Sequence, residues 1–194
     1  MPRWSPDAAL RLEESAIALF ELNGYQATTI PQIVERAGLT TRTFFRHFAD
    51  KRDVLFLRER EFPKVVGVSL LSASDKFGPR ELVLHGLRAA GADLQALRMP
   101  IERRSRVIRN EPQLRERELL QYDRLSDAIR RALLERATEP REALVLGKLA
   151  ALAFELSLEQ WLQDPEETLI GIIDLTCAEI VPVGGSGPMC ALPA

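Results

Sequence analysis

Hydrogen-bonding and cationic side chains gather in one short stretch of this 194-residue chain. Thr40, Thr41, Arg42, Thr43, Arg46 and His47 fall close together, interleaved with Phe44, Phe45 and Phe48. A helix drawn through them puts Phe44 and Phe48 at its back and Thr41, Arg42, Arg46 and His47 at its front. Polar side chains at the start of a helix can meet base edges in a major groove. An arginine on a guanine edge contributes ~1–3 kcal/mol of discrimination. Covalent or acid–base chemistry is poorly supplied by comparison. The two histidines, His47 and His85, are distant in sequence, and the cysteines, Cys177 and Cys190, lie near the end. They suggest no nucleophile–base pair and no metal set, and no glycine-rich phosphate loop appears. The expectation is a binding protein rather than an enzyme, without cofactor or metal.

Charge is distributed to match. The formal net charge is −2 and the isoelectric point about 5.8, which argues against a protein that coats nucleic acid. From Arg36 to Arg52 there are nevertheless five cations and one anion, whereas residues 1–35 carry two cations and five anions. A local basic element on an acidic chain is the footprint expected of phosphate contacts.

The elements that must position these residues read as helices. Strand alternation and hairpin turns are nearly absent, so the expected class is all-α. A first helix is expected from Ser5-Pro6-Asp7 to Asn23-Gly24, with Leu12, Ala16, Leu19 and Phe20 as its apolar stripe. A second opens at Thr29, which with Gln32 suggests a capping box, and breaks at Gly38. A third runs from Thr40 or Thr41 to about Phe48. Two short helices joined by Ala37-Gly38-Leu39-Thr40 have the spacing of a helix-turn-helix.

Ala16-x-x-Leu19-Phe20, Gly24-Tyr25-x-x-Thr28-Thr29-Ile30, Ile33, Ala37-Gly38-Leu39-Thr40 and Thr43-Phe44-Phe45-x-x-Phe48-x-x-Lys51 together resemble the N-terminal signature of the TetR/AcrR regulators. The resemblance covers about residues 11–55. It implies phosphate contacts from Thr29, Thr40, Thr43, His47 and Lys51, and base reading by Thr41, Arg42 and Arg46. Phe45 belongs to the same DNA-binding set but stands where the family usually has Tyr, so a hydroxyl-to-phosphate bond is missing there. The implied function is a sequence-specific regulator of transcription, a repressor released by a small-molecule effector. It would act as a cytoplasmic homodimer on a pseudo-palindromic double-stranded operator. An alternative is a DNA-bound interaction protein that does not regulate transcription.

The division that follows is 1–51 for the DNA-binding head, 52–181 for effector binding and dimerisation, and 182–194 for a flexible tail, with about nine helices in all. One long helix is expected over 51–72 with a bend at Pro63. Further helices are expected over about 79–97, after Pro100, 112–137, 140–163 and 165–180. Apolar stripes on the last two (Ala143, Leu146, Gly147, Ala150, Ala151, Phe154 and Trp161, then Leu169, Ile172, Ile173, Thr176 and Ile180) suggest a dimer bundle. Phe56, Phe62, Phe77, His85, Tyr122 and Trp161 are candidates for an effector pocket. Between Ile101 and Glu118, six arginines alternate with four glutamates. The run reads as a solvated face, or as an anion site using Arg103, Arg106 or Arg109. No run of about eighteen apolar residues predicts a membrane span.

Overall fold

The computed structural model of the chain describes residues 6–57 and 62–180. The expected Ser5 cap, the tail and Cys190 lie outside the described residues, and the expected bend at Pro63 falls beside 58–61, which also lie outside. Among the described residues there are nine α-helices, a short 3-10 turn and no strand. The helices are α1 (Pro6–Asn23), α2 (Ile30–Arg36), α3 (Thr41–His47), α4 (Phe62–Ser72), α5 (Pro79–Gln95), α6 (Arg98–Arg109), α7 (Pro112–Glu135), α8 (Pro140–Gln163) and α9 (Leu169–Ile180). The all-α expectation is met. The helix expected to begin at Lys51 is instead a 3-10 turn, Asp53–Phe56, ahead of α4.

The chain divides into two compact units. One takes in the described residues of 1–62 together with 97–121, and the other those of 63–96 together with 122–194. The first unit is wider than a head ending at residue 51, because α6 and the opening of α7 pack into it. Its core joins Leu12, Ala16 and Phe20 of α1, Ile33 of α2, Phe44 of α3, Leu55 and Phe56 of the 3-10 turn, and Val107, Ile108 and Leu114. Val107, Ile108 and Leu114 are remote in sequence from the rest, so local periodicity could not assign them to this core.

The second unit centres on α8, which packs on α9 and α5. Ala143, Leu146, Gly147, Ala150, Ala151, Phe154, Trp161, Leu169, Ile172 and Ile173 are buried here within a single chain. The stripes chosen from sequence for a dimer bundle are therefore internal packing faces, because the most apolar side of a helix goes first to its own core. At Gly147 the carbonyl oxygen of Ser126 on α7 would stand 2.7 Å from an added Cβ, so only glycine allows this approach. What α8 leaves exposed is a second apolar row: Val145, Leu152 and Leu156, with Leu149 half-buried among them.

α7 ends in a Schellman turn. The N–H of Ala137 donates to Leu134 (3.0 Å) and that of Thr138 to Leu133 (3.0 Å). The left-handed position belongs to Ala137, at φ 59°. A Cβ there costs roughly 1–2 kcal/mol, partly offset by the lower backbone entropy of alanine in the unfolded chain. Ala137→Gly should therefore raise stability by about 0.5–1 kcal/mol in denaturant unfolding. A decrease would show that the site is not strained.

Candidate nucleic-acid interface

α2 and α3 are too short to persist alone, so their ends carry unusual weight. At the start of α2, the Thr29 N–H donates to Gln32 Oε1 (2.8 Å) and the Gln32 N–H to Thr29 Oγ1 (3.4 Å), the capping box expected from sequence. At the start of α3, the Thr43 N–H donates to Thr40 Oγ1 (3.1 Å), and the two hydroxyls lie 3.0 Å apart. The connection closes as a Schellman turn: Gly38 N–H donates to Glu35 (3.0 Å) and Leu39 N–H to Val34 (2.8 Å). Gly38 is left-handed at φ 62°. Arg11 of α1 donates to the Ala37 carbonyl beside it, holding the turn from outside the motif.

Phe44 and Phe48 point inward, 0% and 1% exposed, with ring centroids 5.3 Å apart. That anchoring fixes what α3 presents outward. Thr41, Arg42, Phe45 and Arg46 are exposed, Thr43 and His47 half-buried. Thr29 and Thr40 are exposed as well. Thr40 is next to Thr41 in sequence and Thr29 caps the neighbouring helix, so the sequence-predicted set, apart from Lys51, lies on the α2 N-cap and α3.

Lys51 is placed differently from a side chain reaching outward. Its ammonium donates to the carbonyls of Tyr25 (2.7 Å) and Thr28 (2.8 Å) and stands 4.3 Å from the Tyr25 ring centroid. Burial lowers its pKa below the ordinary lysine value, against an upward pull from Glu111. Burial also pushes the Tyr25 hydroxyl up to about 12. Lys51 therefore ties the stretch after α3 back to the α1–α2 loop, where the Thr28 hydroxyl also bonds the Leu19 (3.2 Å) and Gly24 (2.9 Å) carbonyls.

The chain leaving α3 is held by carboxylates. Asp50 accepts from the Asp53 N–H (2.9 Å) and from Arg52 Nη2 (2.8 Å). Burial would raise the Asp50 pKa, but the Arg52 and backbone hydrogen bonds outweigh it and hold the carboxyl below its usual value. Buried Asp53 accepts from the Ala49 N–H (2.8 Å) and from Arg117 of α7 (3.3 Å). Arg104 of α6, 5% exposed, lies over the Phe56 ring and donates to the Leu55 carbonyl (2.8 Å) and to Glu118 (3.3 Å). Arg103 pairs with Glu21 of α1 (2.5 Å).

Two of the six arginines in the alternating run are thus braces for the exit from α3. Nothing in their sequence neighbourhood distinguishes them from the exposed Arg106 and Arg109. Arg103, offered as part of an anion site, already has a carboxylate partner.

Two open clefts in the first unit have volumes of about 640 and 760 Å³. Glu21, Tyr25, Arg106 and Glu111 line one, and Glu13, Glu14, Arg36 and Arg103 line the other. None of the six effector-pocket candidates lines either. Phe56 is buried in the core of the first unit, while Trp161 is fully buried on α8. Phe62 is half-buried at the start of α4, and Tyr122 is half-buried on α7. Phe77 and exposed His85 meet with ring centroids 5.7 Å apart.

Among the described residues, no group of three or more His, Cys, Asp or Glu side chains is disposed to hold a metal ion. No described helix is long and apolar enough to cross a membrane.

Comparison with known proteins agrees with the local geometry. Residues 13–56 match the model for bacterial regulatory proteins of the tetR family. Over 44 residues the chain is 48% identical to the HTH-type transcriptional regulator TcmR of Streptomyces glaucescens, a match covering 23% of this chain and 20% of that protein. Similar folds over most of the chain occur among solved structures. A regulator assigned to the TetR family from Syntrophomonas wolfei has a TM-score of 0.64 at 20% identity, covering 91% of this chain and 95% of that one. FadR from Bacillus subtilis, in complex with stearoyl-CoA, has 0.61 at 13%, covering 90% and 99%. FadR from Thermus thermophilus, in complex with lauroyl-CoA, has 0.58 at 18%, covering 96% and 100%.

Gly38→Ala should destabilise the protein by about 1–2 kcal/mol in denaturant unfolding. The left-handed backbone penalises a Cβ, and the added atom would stand 3.2 Å from Arg11 Nη2. An unchanged midpoint would mean that the turn between α2 and α3 relaxes without cost.

Proposed function

We propose, from an N-terminal segment that belongs to the tetR family of bacterial regulatory proteins, that this chain is a sequence-specific DNA-binding repressor released by a small-molecule effector. The observation that carries the reading is the outward face of α3. Thr41, Arg42, Phe45 and Arg46 are exposed on a helix whose back is fixed by buried Phe44 and Phe48. Thr41, Arg42 and Arg46 read bases, while Thr29, Thr40, Thr43 and His47 meet phosphates. Lys51 contributes charge to that surface while bracing it.

Residues 1–51 carry the DNA-reading elements, and effector binding and dimerisation belong to 52–181, of which 97–121 also complete the first unit. In the FadR structures the bound molecules are acyl-CoAs. At their low identity they support only the notion that this fold accommodates a ligand, and we name none for this chain. Phe62, Phe77, His85 and Tyr122, which keep some exposure, remain the effector candidates, whereas Phe56 and Trp161 are fully buried. The effector acts only through a difference in its affinity for the DNA-competent and released states. No catalytic role is assigned.

Purified protein should shift its own upstream DNA, with affinity falling linearly in log K against log salt as phosphate-bound counterions are released. No shift at low salt would remove the DNA-binding reading. Arg42→Ala should cost about 1–3 kcal/mol and relax preference at one base pair.

The homodimer is proposed to form through the exposed row of α8, Val145, Leu152 and Leu156, with Leu175 of α9, which is 64% exposed. The spacing of Val145, Leu149, Leu152 and Leu156 alternates four and three, as in a helix-pairing seam. Leu152→Glu should give a monomer by light scattering with unchanged helix content. A dimer that persists would move the interface elsewhere.

A further inference from the structure

We propose that Phe45 reads a thymine by its 5-methyl group, making an apolar base contact within an otherwise polar reading face. The inference rests on the DNA-binding reading above. Phe45 is 55% exposed, whereas Phe44 and Phe48 are 0% and 1%. The space behind α3 is thus already filled, and Phe45 touches that core only edge-on, with its ring centroid 5.5 Å from that of Phe44 and the planes at 84°. Internal packing gives no reason for an aromatic ring at this position.

Its place on the helix is specific. At about 100° per residue, Phe45 lies about 40° around from Thr41 and about 60° from Arg42, inside the arc that Thr41 and Arg46 bound. A helix entering a major groove with this face would carry the ring to the groove floor between two hydrogen-bonding side chains. Phenylalanine has no donor, so it cannot replace the phosphate bond of a tyrosine. The apolar group that bases offer in that groove is the thymine methyl, with which phenylalanine makes contact. A position that holds a hydroxyl in the resembled family therefore becomes, in this chain, a base-specifying one. Beside it, Arg42 favours guanine, so the half-site should pair a thymine with a neighbouring G·C pair.

The test begins with the full chain selecting duplexes from a random-sequence pool. Absence of any enriched sequence would sink the DNA-binding reading, and this proposal with it. With an enriched duplex in hand, each thymine is replaced by uracil, which removes the methyl and leaves base pairing intact. At one thymine per half-site, wild type should lose about fourfold in affinity, as expected for one buried methyl. Phe45→Ala should bind the unmodified duplex more weakly and be indifferent to uracil at that same position. Its exposed site makes this variant expected to fold, which circular dichroism checks. Three results overturn the proposal while leaving DNA binding intact: a selected half-site without thymine, wild type insensitive to every uracil, or equal uracil losses in wild type and Phe45→Ala.

Discussion

A helix of seven residues does not hold itself together in water, because nucleation costs more than so few hydrogen bonds return. α3 is such a helix. Its shape is imposed by the threonine at its start, the aromatic pair behind it and the left-handed glycine before it. The outward residues inherit their direction from those constraints. Phe44 matters most: at 0% exposure it registers the helix against α1 and α2, so that rotating α3 would bring Phe45 or Thr43 into the core instead. Truncating a buried phenylalanine commonly costs 3–5 kcal/mol, more than either hydroxyl cap contributes. Base contacts need placement finer than an ångström or two, and that placement is a packing property before it is a chemical one.

The electrostatics follow the same logic. Five cations concentrate between Arg36 and Arg52, but they are not five equivalent probes. Lys51 bonds two carbonyls, and Arg52 holds Asp50. Their charge still adds to the local potential, which falls off over about a Debye length. Their geometry, however, serves the scaffold. Arg42 and Arg46 stand on the outward face of α3. The division separates long-range attraction from short-range reading.

Features that depend on neighbours in sequence were legible beforehand. Thr29 with Gln32, the break at Gly38 and the inward Phe44 and Phe48 each follow from spacing within a few residues. Features that depend on which surfaces meet were not. The apolar stripes of α8 and α9 were visible, but periodicity cannot tell a face packed at home from one offered to a partner. The exposed row was the one containing Val145 and Leu152. Phe56 read as a pocket candidate because it is aromatic and follows the head, yet it completes the core of the first unit. Arg104 and Arg117 looked like members of a charged run, and only the fold brings them to the Leu55 carbonyl and to Asp53. Base-reading candidates could be chosen from type and local pattern, while the residues that brace them could not.

The first unit is stitched from two stretches, with residues up to 62 completed by 97–121. Its core includes Ile108 and Leu114, and Arg117 caps the buried Asp53 carboxylate. During synthesis, therefore, the N-terminal helices emerge well before the side chains that finish their interior. At 5–20 residues per second the lag between residue 57 and residue 121 is roughly 3–13 s. Over that interval Phe56 lacks its arginine cover and Asp53 its guanidinium. Until α6 and the start of α7 have been made, the N-terminal helices carry an interior without Val107, Ile108 and Leu114, and so without part of its apolar burial.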